Sequence, residues 1–195
     1  FDSNDTDESP YDFSVAGTVS AGGVSQVWLI DDGEAGFNAT AGWTTYTGVG
    51  LQGDFAYKAV GSGAATATWT FSGLAPGQYY VSATWQAHSN RAIDAPYTIL
   101  DGATELATVL VDQRQAPLDF FELEWWQDLG GPHPLTGDTL VVQLSDLAGP
   151  PGSYLIADAV RIERVGDLPA GPEIAVLVDG TAVADGTGVV DFGST

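Results

Sequence analysis

ATATWTFSGLAPGQYYVSATW, residues 65–85, carries the pattern that decides the fold. Apolar and polar residues alternate from Ala65 to Phe71 and again from Gly77 to Trp85, on either side of the turn Ala75-Pro76-Gly77. Successive side chains of a β-strand point to opposite faces, so this period of two predicts two strands joined by a short connection. Trp69 and Trp85 fall in these alternating segments, and we expect both in the core.

Segments of the same kind recur about every ten to fifteen residues along the chain. β-Branched and aromatic residues fill them, and Gly, Pro, Asp or Asn separate them, while no stretch has the sustained apolar spacing and caps of an amphipathic helix. The pattern predicts an all-β fold, a jelly-roll-like β-sandwich of antiparallel strands. The other predicted strands are Val27–Ile30, Ala95–Leu100, Glu105–Asp112, Phe120–Trp126, Thr139–Leu144 and Tyr154–Ile162.

Linker-like composition divides the chain into three parts. Residues 24–164 are predicted to form the sandwich. Residues 1–23 combine an acidic, polar linker with an alternating strand at 11–19. Residues 165–195 combine the Gly- and Pro-rich linker 165–172 with two strand-like segments, 173–178 and 188–192.

The charge balance limits the partners. The chain has 26 Asp and Glu against five Lys and Arg, a formal net charge of -21. Such a charge repels a phosphate backbone or an anionic lipid surface, so we expect neither nucleic acid nor membrane insertion. The acidity fits divalent cation binding, and solubility alone would explain it equally well. The absence of Cys excludes disulfides and Cys–zinc sites, and the absence of both Cys and Met suits an oxidising exterior.

No catalytic constellation stands out. The only histidines are His88 and His133, and no serine lies in a Gly-x-Ser-x-Gly motif. Glycoside hydrolases use a pair of carboxylates, but in a chain with 26 Asp and Glu such pairs are expected by chance and do not indicate this activity. We expect a protein that is not an enzyme.

Carboxylates near the two ends of the predicted sandwich could hold calcium. Asp31-Asp32-Gly33-Glu34 follows the first strand directly, and Asp158 lies in the last strand. First and last strands of jelly rolls are often neighbours, and calcium takes six to eight oxygen ligands. We therefore predict a calcium site formed by Asp31, Asp32, Glu34 and Asp158, to which Asp54 could add a ligand. The alternative is that Asp32-Gly33 is a turn and that Asp158 pairs with an arginine.

Arg91 lies in a predicted loop of a chain that has few cations. The interpretation we favour is structural: Arg91 ties its loop to Asp94, Asp158 or another acid, and we predict Asp158 as its partner in an ion pair. The alternative is that Arg91 binds an acidic sugar.

Aromatic side chains outside the regular alternation are candidates for carbohydrate stacking. Trp43 and Tyr46 fall in a Gly-rich region, and Trp125 neighbours Trp126 in a strand, where the two must face opposite ways. We predict a carbohydrate site with Trp125, Trp43 and Tyr46 as stacking residues. The predicted polar contacts are His88, Asn90 and Gln113.

A series of residues spread over about 70% of the chain, from Val27 to Ile162, has a familiar order. Its members are Trp43, Gly63–Trp69, Tyr79, Ala83–Trp85, Asn90–Ala92, Ala95–Ile99, Gln113, Trp126, Leu129-Gly130 and Ile156–Arg161. In this order they resemble the golvesin or xanthan-lyase carbohydrate-binding-like domain. The resemblance implies that Trp126, rather than Trp125, is the packed residue.

The flanks resemble a different family. Residues 9–19 are similar to the closing strand, and residues 172–193 to the opening, of a choice-of-anchor, immunoglobulin-like repeat. The resemblance implies a module placed between repeats in a large multi-domain bacterial surface or secreted protein, and so an extracellular or cell-surface location. The terminal strands would expose unpaired edges, through which the chain could self-associate.

Three functions stay open. The first is a non-catalytic module that binds carbohydrate or mediates adhesion. The second is a structural spacer or protein–protein interaction module without a small ligand. The third is an accessory domain on a polysaccharide lyase or peptidase.

Overall fold

The structure of the chain is a computed structural model. It describes residues 26–121 and 124–169, together with the backbone of 177–178 and 181–182. The predicted strands at 11–19 and 188–192 lie outside the described residues, as does all but the last two residues of the segment 173–178.

The described elements are β-strands, apart from one 3-10 turn at Leu51–Gly53. Within this part of the chain, no helix is both long and apolar enough to span a membrane. The strands are β1 (Gln26–Ile30), β2 (Phe37–Ala39), β3 (Thr44–Thr47), β4 (Asp54–Ala59), β5 (Thr66–Ser72), β6 (Gly77–Ala83), β7 (Ala95–Asp101), β8 (Thr104–Val111), β9 (Asp119–Phe121), β10 (Glu124–Asp128), β11 (His133–Leu135), β12 (Thr139–Ser145), β13 (Tyr154–Ala157), β14 (Val160–Gly166), β15 (Leu177–Val178) and β16 (Thr181–Ala182).

The strands form two larger sheets and two small ones. One larger sheet has the order β1-β14-β6-β10-β9, with β11 also pairing with β6, and the other has the order β2-β5-β12-β7-β8. A third sheet joins β13, β4 and β3, and β15 pairs with β16. All of these strand pairs are antiparallel. The predicted all-β sandwich of antiparallel strands is therefore confirmed.

The alternation seen in the sequence places the core between the two larger sheets. In β5 and β6 every second residue is buried, and the buried residues of both strands, apart from Gly77, belong to one apolar cluster. Trp69 and Trp85 are part of that cluster, as predicted. Trp126 is 3% exposed and Trp125 is 50% exposed, which confirms that the two rings face opposite ways.

The pairing of β1 with β14 brings the two ends of the sandwich together. Ile30 lies opposite Val160, so the residues just after β1 approach the residues just before β14. Asp31 and Asp158 occupy those two positions. The topology thus creates the neighbourhood that the calcium prediction required.

Gln113 is a structural residue, and the prediction that it contacts carbohydrate is wrong. Its side chain is fully buried. Its Nε2 donates to the Ile156 carbonyl oxygen at 2.8 Å and to the Tyr97 hydroxyl at 3.0 Å, and its Oε1 accepts from the Ile156 N–H at 2.9 Å. The Gln113 side chain bonds to both the N–H and the C=O of Ile156, as a neighbouring strand would do on that side of β13.

Replacing Gln113 by Ala should lower the free energy of unfolding by about 2–4 kcal/mol, because the buried N–H of Ile156 loses its side-chain acceptor and the Ile156 carbonyl keeps only the Tyr97 hydroxyl at 3.4 Å as a side-chain donor. Urea unfolding followed by tryptophan fluorescence measures the change. Gln115→Ala is the matched control, since Gln115 is exposed and the hydrogen bond it accepts from Trp85 ends on its backbone carbonyl. Equal stability of the two variants would contradict the structural role of Gln113.

Candidate functional site

Loops between strands form an open cavity lined by aromatic residues. The cavity has a volume of about 460 Å³, and we call it the aromatic pocket. Strands β3 and β4 supply Tyr46, Phe55 and Tyr57, the β6–β7 connection supplies the polar side of the wall, and Val49 and Tyr154 complete the lining. Its main lining residues are Tyr46, Phe55, Tyr57, His88, Arg91 and Tyr154.

The aromatic rings of the pocket hold one another in place. Tyr46 stacks on Phe55 with ring centroids 5.3 Å apart and an interplanar angle of 18°. Tyr57 meets Tyr154 edge to face at 5.9 Å. Tyr46 is nevertheless 53% exposed, so it offers a pre-oriented aromatic surface to the cavity.

Polar groups converge on the same cavity from one short loop segment. The Asn90 side-chain oxygen accepts a hydrogen bond from Arg91 Nη1 at 2.9 Å and lies 2.8 Å from His88 Nδ1. Backbone hydrogen bonds from Ala92 to Tyr154 and from Tyr154 to Asn90 tie the loop to β13. The segment therefore presents its side chains from a fixed backbone.

Trp125 lies on a neighbouring cavity, which we call the tryptophan pocket. This cavity has a volume of about 310 Å³ and is lined by Trp85, Pro117, Glu124 and Trp125 among others. It adjoins the aromatic pocket, because Gln86 and Ala87 line both. The structure thus brings together four predicted contact residues, Trp125, Tyr46, His88 and Asn90, on one groove made of the two pockets.

Trp43 does not share this groove, although we predicted it as a stacking residue. Its side chain is partly buried and packs against the apolar core. Its Nε1 atom is buried and has no hydrogen-bond partner among the described residues. This packing leaves no open ring face on which a sugar could stack, so the structure does not support the prediction for Trp43.

Four carboxylates meet beside the groove, and we call them the acid cluster: Asp31, Asp32, Asp54 and Asp158. One oxygen from each of Asp31, Asp32 and Asp54 lies within 4.8 Å of the other two. The backbone N–H of Leu51 donates to Asp158 Oδ1 at 3.0 Å. Asp158 also lines a small cavity that adjoins the aromatic pocket at Val49 and Gln86.

Burial makes the charges of the acid cluster costly. The exposed fractions of Asp31, Asp32 and Asp158 are 2%, 9% and 1%. Desolvation raises the pKa of Asp31 to about 6, that of Asp32 to about 7 and that of Asp158 to about 8, and repulsion between the carboxylates adds to each rise. None of the ion pairs among the described residues involves a member of this cluster.

The acid cluster fits a hard cation. The Oδ1 atoms of Asp31 and Asp32 are buried and accept no hydrogen bond from the described residues. Unpartnered carboxylate oxygens that face one another are the donor set that calcium uses, completed by backbone carbonyls and water. Asp31, Asp32 and Asp54 could bind such an ion directly, with Asp158 next to them.

Glu34 differs from the prediction in its role. Its Oε2 accepts from the backbone N–H of Asp31 at 3.2 Å, and its Oε1 accepts from Gln52 Nε2 at 2.9 Å. It does not belong to the group of carboxylates close enough to share an ion among the described residues. Glu34 closes the turn after β1 instead.

Gly50 lets the loop before β4 approach the acid cluster. Its φ of 102° lies in the left-handed region that favours glycine. A Cβ atom at this position would collide with the Asp54 carbonyl oxygen and would lie 3.1 Å from Asp158 Oδ2. The loop that carries Val49 into the aromatic pocket can therefore lie against Asp158 because residue 50 has no side chain.

The predicted ion pair between Arg91 and Asp158 is wrong. Arg91 Nε donates to the Gln86 carbonyl oxygen at 3.3 Å, and its guanidinium lies over the Phe55 ring, 5.7 Å from the centroid. Asp158 belongs to the acid cluster and bonds to Leu51 instead. The two residues lie in adjoining cavities without forming an ion pair, because the loop after β6 turns Arg91 towards the aromatic pocket.

Comparison with known proteins gives one family and several similar structures. The family model described as Golvesin C-terminal domain matches residues 28–164. A xanthan lyase from Paenibacillus is 25% identical with a TM-score of 0.56, and the match covers 73% of this chain and 13% of the lyase. No curated protein sequence matches.

Two carbohydrate-binding modules of family 35 are also similar in structure. The module from Cellvibrio japonicus Abf62 is 16% identical with a TM-score of 0.48, and the match covers 74% of this chain and 100% of the module. A module solved in complex with a disaccharide containing glucuronic acid is 15% identical with a TM-score of 0.47, covering 72% of this chain and 99% of the module.

The raised pKa values predict how stability depends on pH when divalent cations are chelated. Between pH 4 and 8 the folded state keeps protons on Asp31, Asp32 and Asp158 that the unfolded state releases, so the free energy of unfolding falls as pH rises. We expect a loss on the order of 5–8 kcal/mol between pH 5 and 8 in urea unfolding with EDTA.

Asp158→Asn should make this pH profile about half as steep, because Asp31 and Asp32 still titrate in the same range. Asp112→Asn is the control: the hydrogen bond from Arg114 lowers the pKa of Asp112, so its titration falls below this range. A wild-type profile that is flat or rises between pH 5 and 8 would contradict the buried, charged cluster.

Proposed function

The chain belongs to the Golvesin C-terminal domain family, and from that premise we propose that it is a non-catalytic module that binds carbohydrate in the groove formed by the aromatic and tryptophan pockets. The observation that carries the proposal is Tyr46, an exposed ring held in place by Phe55, which lies next to a fixed set of polar side chains. Ligand sites combine such an apolar surface with a few oriented polar groups.

Sugar rings match both parts of this groove. Their C–H faces pack on aromatic rings, and their hydroxyls exchange hydrogen bonds with amide and imidazole groups. The side-chain nitrogen of Asn90 donates to none of the described residues, so it is available to a sugar hydroxyl. The two adjoining pockets provide room for more than one ring, with Tyr46 in one pocket and Trp125 in the other.

We place the module in a larger extracellular or cell-surface protein. Support comes from the similarity to a segment that makes up 13% of the Paenibacillus xanthan lyase. On this proposal the module holds its host protein on a polysaccharide, and any chemistry belongs to other parts of the host. Neighbouring repeat domains would flank it on both sides.

A protein-interaction function is the second candidate, favoured by exposed apolar residues beside the groove, where the ring centroids of Phe120 and Trp125 are 5.0 Å apart. Leu110, Leu118 and Phe120 are exposed apolar residues on β8, β9 and the connection between them. Exposed apolar groups that lie close together mark interaction surfaces in many proteins. This candidate needs no small ligand in the groove.

Calcium at the acid cluster is the cofactor we propose. Support comes from the unpartnered buried oxygens of Asp31 and Asp32 and from the third carboxylate, Asp54, within reach of both. A bound divalent cation would supply the positive charge that the described ion pairs do not bring to this cluster. Its function here would be to hold β1, β4 and the β13–β14 connection together.

Removal of either aromatic platform should weaken carbohydrate binding. We expect Tyr46→Ala and Trp125→Ala each to lower the affinity about tenfold or more, because buried aromatic contacts dominate binding at such sites. Affinity gel electrophoresis in gels cast with xylan, β-glucan, galactomannan, pectin or xanthan, with calcium present, measures the effect.

The matched control is Tyr80→Ala, which removes an exposed tyrosine that is not part of either pocket. Polysaccharide binding that survives both groove variants would contradict the proposed site. If no polysaccharide retards the protein in the gel and the protein self-associates in size-exclusion chromatography, the carbohydrate-binding function is rejected and the protein-interaction function is supported.

Calcium should raise the melting temperature of the protein. At a calcium concentration about 100 times Kd we expect an increase of ~5–10 °C over the protein in EDTA, because the ion binds the folded state alone. Asp32→Asn should abolish most of the increase, and Asp119→Asn, which neutralises an exposed carboxylate on β9, should keep it. Identical melting temperatures with calcium and with EDTA would rule the ion out.

A further inference from the structure

Arg91 differs from the other cations of the chain. The sequence has five Lys and Arg residues in all, and the structure describes each of them. Lys58, Arg114, Arg161 and Arg164 each form an ion pair with a carboxylate of the chain. Arg91 forms none with the described residues, although the chain has 26 Asp and Glu.

The guanidinium of Arg91 has unused hydrogen-bonding capacity that faces the aromatic pocket. A guanidinium carries five N–H donors, and the described residues accept from two of them, at the Gln86 carbonyl and at the Asn90 side chain. Arg91 lines the pocket, and its terminal nitrogens are not among the buried atoms that lack partners. The remaining donors are therefore open to a ligand.

The surroundings hold this guanidinium in one orientation. The Phe55 ring lies beneath it, with the guanidinium carbon 5.7 Å from the ring centroid. The backbone of Arg91 bridges to Tyr154, and its N–H donates to the His88 carbonyl oxygen at 3.0 Å. A planar fork of donors that is fixed in this way is suited to a carboxylate, which accepts two parallel hydrogen bonds.

The lining of the pocket is free of negative charge. None of the residues that line the aromatic pocket is Asp or Glu, whereas acids make up 26 of the 195 residues of the chain. An anion in the pocket would therefore meet Arg91 and His88 without a carboxylate in the lining. Burial lowers the pKa of Arg91, as expected for a partly desolvated cation that forms no ion pair with the described residues.

We propose that the aromatic pocket selects a carboxylated sugar, with the carboxylate on the Arg91 guanidinium and the sugar ring on Tyr46. This inference rests on the proposed carbohydrate-binding function and narrows it to acidic polysaccharides. Asn90 holds Arg91 Nη1 and contributes its free side-chain nitrogen to a neighbouring hydroxyl. The carboxylate would satisfy the one cation that the chain leaves unpaired in its described part.

The test compares each acidic polysaccharide with its own carboxyl-reduced form. Glucuronoxylan, polygalacturonate, alginate and xanthan are used before and after reduction of their carboxyl groups to alcohols. Calorimetry is run with calcium present and with about 150 mM salt, which screens the repulsion between the acidic protein and the polyanion. We expect at least one acidic form to bind about ten- to a hundredfold more tightly than its reduced form.

The Arg91 variants assign that preference to one residue. Arg91→Gln should remove it by weakening binding of the acidic form alone, and Arg91→Lys should restore part of it, because a lysine keeps the charge without the planar fork. Arg164→Gln, which removes the same charge outside the pocket, should retain the preference, and near-UV circular dichroism confirms the fold of each variant.

Each outcome has a separate meaning. Equal binding of acidic and reduced forms by the wild type overturns the carboxylate inference and leaves the carbohydrate function standing. An equal loss for both forms in Arg91→Gln overturns it in the same way, since the residue would then be structural. Tighter binding of a sulfated galactan than of every carboxylated polysaccharide overturns the choice of a carboxylate. Failure of all polysaccharides to bind overturns the carbohydrate function itself.

Discussion

The burial of several carboxylates in one place is the constraint on which the rest of the site depends. Asp31, Asp32 and Asp158 are almost fully buried, and each has a raised pKa because its charge has lost water without gaining a cation from the described residues. Asp31 and Asp32 are neighbours in sequence, Asp158 comes from a distant segment, and the two segments meet through the pairing of β1 with β14. Whatever neutralises these groups, a proton or a metal ion, also joins the first and last strands of the sandwich.

The same cluster is connected to the groove through the loop before β4. Leu51 donates its backbone N–H to Asp158, Val49 on the same connection lines the aromatic pocket, and so does Tyr46 on β3, the strand before that connection. A cation that orders the acid cluster would therefore also fix one wall of the pocket. By linkage, a ligand that favours the ordered wall would in turn strengthen cation binding. Gly50 makes this arrangement possible, because a side chain there would push the loop away from Asp158.

The sequence alone predicts the sandwich well and the site only in part. Strict alternation at 65–85 identifies two strands and both core tryptophans, because a period of two depends on local structure alone. Gln113 was misjudged because its role depends on Ile156, which lies far away in sequence. The ion-pair prediction for Arg91 failed for a similar reason. The residues next to it in sequence do not indicate that the loop turns its side chain away from the acid cluster and over Phe55.

Two rim residues of the pocket, Phe55 and Tyr154, went unrecognised as site residues. Phe55 is buried in an ordinary strand, and it matters because Tyr46 stacks on one side of it and Arg91 lies over it. Tyr154 joins the pocket through hydrogen bonds between β13 and the loop after β6. Both depend on contacts between segments, which no local pattern encodes. The signal that was available is Arg91 itself, a rare cation between aromatic segments.

The net charge of -21 and a preference for an acidic sugar are compatible, because the two act over different distances. At a physiological ionic strength, charges more than about 8 Å from a ligand are largely screened when they are exposed to solvent. A carboxylate in the aromatic pocket is therefore governed by the groups that line it, which include a guanidinium and no acid, and by the buried acid cluster next to it, whose charge a proton or a bound cation would offset. The many exposed acids of the surface then affect mainly the association rate, because they repel any approaching polyanion. Selection for a carboxylated sugar requires only that the contact with Arg91 outweigh this screened repulsion. A fixed, partly desolvated guanidinium is the arrangement in which a single charge has the largest effect.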